Sequence, residues 1–160
     1  MTPLIATHAF AALTSLLLGG WQLFLSPKGT QVHRIVGRVW VALMLYVSIS
    51  SFWITELRPG HFSLLHILSV VTITTVSLGV IQARRGRIRS HLGNMRGSWI
   101  GLCFAFVFAV AVPVRHIPQF IVTEPAGAAA AAAVVVITTA LIIRAGRLIA
   151  RVPAVESVRA

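Results

Sequence analysis

The sequence contains no aspartate, and its three glutamates, Glu56, Glu124 and Glu156, stand far apart. A paired-carboxylate acid–base site, a Ser-His-Asp triad or a carboxylate-held Mg²⁺ site has almost nothing to be built from. A hydrolase or transferase is not expected and no catalytic residue is assigned. A redox carrier is the most that these residues allow. The one cysteine, Cys103, cannot form an intrachain disulfide, and its apolar run marks it as a packing residue. Charge is scarce as well. Only 11% of the 160 residues are charged, against about 25% in a soluble domain. The AVILMFWYC fraction is 57% and the mean hydropathy is +0.88. Such a chain cannot cover itself with polar side chains, so lipid must solvate it.

Five stretches are long and apolar enough to cross a bilayer, which takes about 20 helical residues. They lie near Leu4–Leu25, Ile35–Ile54, His61–Ala83, Trp99–Val114 and Ala126–Ile143. The connections are Ser26–Arg34, Thr55–Gly60, Arg84–Ser98 and Arg115–Pro125, punctuated by glycine and proline. Loops this short make consecutive helices antiparallel neighbours. The fold class expected is an all-α transmembrane bundle of five helices, four forming a core. Residues 1–120 make the four-helix bundle, and residues 121–160 a fifth helix with a short basic tail.

The net charge of +11 reads as a topology signal. Twelve of the fourteen basic residues fall on one side; only Arg58 and Arg115 fall on the other. The positive-inside rule makes the rich side cytoplasmic, with the N-terminus outside and the C-terminus inside. Trp21, Trp40 and Trp99 would sit in the inner aromatic belt and Trp53 in the outer one. The arginines can also hold anionic lipid head groups. Nucleic acid is not expected, because no aromatic-rich soluble platform accompanies them. The first span lacks the basic flank and the short apolar region of a cleavable signal peptide.

An internal offset suggests duplication. His8 precedes His33 by 25 residues, and His66 precedes His91 by the same 25. A shift of 58 maps His8 onto His66, His33 onto His91 and Arg38 onto Arg96, giving a duplicated helical hairpin with repeats about 4–58 and 61–116. The fifth helix falls outside it, and its Ala128–Ala133 run suits close helix packing.

At 1.5 Å per residue His8 lies roughly 6 Å, and His66 roughly 8 Å, below the outer ends of their helices. His33 and His91 share the opposite level, in or beside loops. Two levels of paired imidazoles suit bis-histidine haem b ligation. His8 and His66 are then outer iron ligands, with His116 the alternative to His66, and His33 and His91 the inner ones. Arg34, Arg38 and Arg96 stand ready for inner propionates, Arg58 and Arg115 for outer ones. Against this, interfacial histidine often bonds only to backbone, lipid or water, and His33 and His91 could simply cap two helices. His61 reads as interfacial. Zinc held by His8, His66 and His116 is a further option. Intramembrane serines and threonines are expected to bond to their own helices or to stitch neighbouring ones.

The segment His8, Gly19-Gly20-Trp21-Gln22-Leu23, Pro27-Lys28-Gly29-Thr30 and His33-Arg34-Ile35-Val36-Gly37-Arg38-Val39-Trp40 resembles the opening of a bacterial membrane family known as domain of unknown function 2306. The run Phe62–Ser69, Arg84-Arg85-Gly86, His91, Met95-Arg96-Gly97 and Arg115 agree with it. The resemblance covers roughly residues 5–120. It implies a location in the bacterial cytoplasmic (inner) membrane and a helical architecture, and is consistent with a role for His8, His33, Arg34, Gly37, Arg38, His66, His91, Met95 and Arg96, without supplying an activity.

Taken together, the expectation is a haem b-binding electron-transfer module that exchanges electrons with quinone or a redox partner. The alternatives are a non-catalytic subunit or assembly factor of a membrane complex, or a small-molecule or lipid carrier, the last most naturally as a homodimer.

Overall fold

The computed structural model describes residues 2–54, 64–111 and 116–151. Among them the structure is helical throughout: α1 (Pro3–Phe24), α2 (Gln31–Ser50) running into a 3₁₀ turn (Ser51–Trp53), α3 (Leu64–Arg84), α4 (Ile88–Ala111), α5 (His116–Thr123) and α6 (Pro125–Ile149). All but the short α5 are long and apolar enough to span a membrane. Arg58, His61 and Arg115 lie outside the described residues.

The helix ends follow from local chemistry. Thr2 caps α1 by accepting from Ile5 N, and Pro3 takes the position where a missing N–H costs nothing. The first connection turns at Gly29, whose φ of 75° favours glycine. Thr30 then accepts from His33 N at 3.2 Å and starts α2. The ammonium of Lys28 donates to the carbonyls of Gln22, Leu23 and Ser26 at 2.6, 2.9 and 3.1 Å. It satisfies the open carbonyls at the end of α1 and complements its dipole. α3 ends at Gly86, φ 71°. Gly86 N donates to Ala83 O and Arg87 N to Gln82 O, the paired bonds of a Schellman motif.

That motif corrects the sequence reading. The stretch taken as a loop, Arg84–Ser98, is a turn of three residues, and α4 begins at Ile88. His91 therefore lies on a helix, and so does His33. Charged residues end an apolar count without ending a helix, since the backbone still satisfies itself where arginines reach the interface.

Four helices close a ring. α1 packs on α2, α2 on α3, α3 on α4, and α4 returns to α1. α1 thus stands diagonal to α3, and α2 to α4. α6 lies outside the ring against α1 and α2. Leu18, Val36, Met44 and Val76 are fully buried at its centre. In lipid, the gain from this packing is close contact rather than removal of water. α6 comes close to α2 at Gly146, where a Cβ would stand 2.6 Å from Val36 Cγ2. Its alanine run is not used in this way: Ala129 to Ala133 are all exposed. The face bearing Val135, Thr139 and Gly146 is buried instead.

The tryptophans also depart from expectation. Trp53 is 69% exposed, as a belt residue should be, but Trp40 is buried. Trp40 Nε1 donates to Ser15 O at 2.9 Å and Trp99 Nε1 to Leu16 O at 2.9 Å. Both rings crowd Gly19, where a Cβ would fall 2.3 Å from Trp99 Cδ1 and 2.7 Å from Trp40 Nε1. Trp21 lies under the guanidinium of Arg147, 5.9 Å from its ring centre, joining α1 to α6.

Candidate functional site

The ring has an Arg-poor end, holding His8 and His66, and an Arg-rich end, holding His33 and His91. At the Arg-poor end, Ser50 Oγ donates to Val47 O at 3.2 Å and so accepts from His8 Nδ1 at 2.8 Å. That bond ties α1 to α2. Ser51 Oγ, which donates to Ser48 O at 2.7 Å, likewise accepts from Ser69 Oγ at 2.6 Å, tying α2 to α3. His66 is buried with its ring beside Phe52, centroids 5.8 Å apart. His8 and His66 are on diagonal helices. His116 opens α5. Among the described residues no three His, Cys, Asp or Glu side chains gather to hold a metal.

Midway along the bundle the Thr75 and Ser98 hydroxyls meet at 2.8 Å and join α3 to α4. These serines and threonines stitch neighbouring helices, as the sequence suggested.

The Arg-rich end is built differently. His33 comes from the first turn of α2 and His91 from the first turn of α4, its diagonal neighbour. His33 lies within electrostatic reach of His91, Lys28 and Arg34. Neither ring caps its own helix. His91 Nδ1 donates to Gly79 O of α3 at 2.9 Å, which puts the proton on Nδ1 and leaves Nε2 with a lone pair in the neutral ring. The carbonyl of His33 accepts from Gln22 Nε2 at 2.9 Å. Gly37 leaves room for this amide, since a Cβ there would meet Gln22 Nε2 at 3.1 Å. Arg34 Nε bonds the Gly29 carbonyl. Arg34, Arg38 and Arg96 are exposed.

This end also holds buried polar atoms that no protein group satisfies: Gln22 Oε1, Ser26 Oγ, His33 Nδ1 and Gln82 Oε1. Gln22 is 7% and Ser26 4% exposed. A buried polar atom left without a partner costs about 1–3 kcal/mol, so four at one end are a marked departure from ordinary packing. Ser26 and Gln82 carry no motif that would announce them. Gln22 stands in the Gly19–Leu23 run that carries the family resemblance, and the seven-residue spacing of His8, Ser15 and Gln22 puts all three on one face of α1.

A helical ring with large apolar side chains exposed on its outside defines an integral membrane protein. Residues 5–145 match the family described as predicted membrane protein DUF2306, and the chain belongs to it. The match takes in most of α6, further than the first four helices that carry the recognisable motifs. No curated protein and no solved structure matches the chain.

Proposed function

We propose that the protein is a haem b-binding electron-transfer module whose inner iron site is the pair His33 and His91. The observation that carries this reading is the placement of two imidazoles, 58 residues apart in sequence, in the first turns of diagonal helices at one end of the bundle. The donor set fits. The Nδ1–H of His91 is held by a backbone carbonyl, the outer-shell bond that orients a ligating histidine and leaves Nε2 for iron. His33 keeps Nδ1 buried without a protein partner. Arg34, Arg38 and Arg96 supply cations for propionates at an end where the described residues include no carboxylate. His8 and His66 form the corresponding outer pair. Haem would supply one-electron transfer; the chain would hold it and orient it.

The test is a reduced-minus-oxidised spectrum of the protein purified from haem-replete cells. A b-type α-band that is lost in His33→Ala and in His91→Ala is expected. If the band survives both but disappears in His8→Ala or His66→Ala, the iron belongs to the outer pair. No band in a folded, haem-supplied preparation ends the reading. Co-purification of a stoichiometric partner without a chromophore would favour a subunit role.

A further inference from the structure

We infer that Gln22, Ser26 and Gln82 line a hydrated inlet that leads from the aqueous phase at the Arg-rich end to Nδ1 of His33. The inlet stops at the indoles of Trp40 and Trp99.

The argument begins with the unsatisfied atoms. The Gln22 amide cannot be turned around, because Nε2 already donates to the His33 carbonyl; Oε1 is therefore the atom left over. Ser26 follows Gln22 by four residues, one turn further toward the aqueous end. Gln82 follows Gly79 by three, so it continues the face of α3 whose carbonyl holds His91. Protein donors close by are already engaged: Lys28 with three carbonyls and Gln22 Nε2 with His33. Two amide oxygens, a hydroxyl and a ring nitrogen then need a small neutral molecule that both donates and accepts. Water is that molecule. A cation is disfavoured by Lys28 and Arg34.

The stop follows from Gly19. It lies three residues before Gln22, and two indoles fill the space its side chain would take. Beyond them lie Leu18 and Met44, both fully buried. Ser15 Oγ also lacks a protein partner, but it sits roughly 10 Å from Gln22 along α1, past the indoles.

The inference does not rest on iron. The readouts need no chromophore, so the two readings fail separately. In a Cys103→Ala background, Ser26→Cys, Gln22→Cys, Leu18→Cys and Ser15→Cys would each be exposed to Ag⁺ in membrane vesicles. Surviving thiols would then be counted with a maleimide after denaturation. Positions 22 and 26 should be blocked at least about tenfold faster than 15 and 18, as expected for groups in a hydrated rather than a closed region. On the unmodified protein, exchange of the imidazole C2–H for deuterium, followed by mass spectrometry, should be several-fold faster at His33 than at buried His66. Cysteines at 22 and 26 as slow as at 18, with His33 as slow as His66, would remove the inlet. Equal speed at 15 would remove the stop. Where a variant fails to fold, the histidine exchange decides.

Discussion

Trp40 and Trp99 donate from two different helices to adjacent carbonyls of a third, those of Ser15 and Leu16, and both close over Gly19. α2 and α4 flank α1 in the ring, so the two indoles hold α1 from both sides. An apolar chain in lipid gains little by burying more apolar surface. A directional hydrogen bond from a large flat ring fixes rotation and height where greasy contact alone would let helices slide.

Gly19→Ala should therefore cost about 1–3 kcal/mol, the usual penalty for overfilling a packed site. The rings must move, because the new carbon would overlap both. Unfolding of the detergent-solubilised protein measures the loss. Gly93→Ala is the comparison, since a Cβ there meets nothing within 4 Å; it should cost little or nothing.

Trp40→Phe keeps most of the packing and removes one donor. The expected loss is about 0.5–1.5 kcal/mol. The Ser15 carbonyl is not stranded, because it sits inside the helix and keeps its backbone bond. A loss as large as that of Trp40→Ala would mean that ring volume, and not the hydrogen bond, holds α1.

Gly146→Leu should detach α6 from the ring. The first added carbon already falls 2.6 Å from Val36 Cγ2, and Val36 is fully buried and cannot yield. Limited proteolysis in detergent should cut the α5–α6 junction faster in the variant. The α1–α4 ring should retain its own melting transition.

Lys28→Met should loosen the end of α1 and leave the rest intact. It removes one ammonium from three carbonyls, at a cost of about 1 kcal/mol. Amide exchange should accelerate in the last turn of α1 and at the Thr30 cap, with no change in α3.

The Arg-rich end should face the cytoplasm. A C-terminal green fluorescent protein fusion should fluoresce and a C-terminal alkaline phosphatase fusion should be inactive, by the positive-inside rule. The opposite pattern would invert the orientation of both histidine levels and leave the bundle itself untouched.

Much of the fold is legible in the sequence because the constraint is coarse. Around twenty apolar residues with no place in water become a helix across a bilayer, whatever their order. Hence the spans hold to within a few residues at their apolar ends, while the Arg-rich end of α4 begins eleven residues before its apolar stretch does. That end is set by the Gly86 turn, and backbone hydrogen bonding carries the helix through charged residues. The alanine run misled for a related reason: small residues permit close packing without compelling it, and Gly146 made the contact instead.

The site was half legible. The spacing of His33 and His91 placed both rings at one level. What it could not give was which helices stand diagonal, because that depends on how four similar cylinders close into a ring. Nor could it separate Gln22 from the other polar residues within spans. Whether a buried amide finds a partner depends on which atoms of other helices arrive at its height.

Composition and charge order alone thus determined that this chain lives in lipid and which end gathers its cations, because transfer of residues between water and hydrocarbon depends only on what they are. Tertiary structure decided that two tryptophans turn inward, that one imidazole is held by a carbonyl while the other keeps a bare nitrogen, and that α6 docks by the face bearing Val135, Thr139 and Gly146. Those outcomes depend on distances of a few tenths of an ångström between groups remote in the chain, and local sequence carries no record of them.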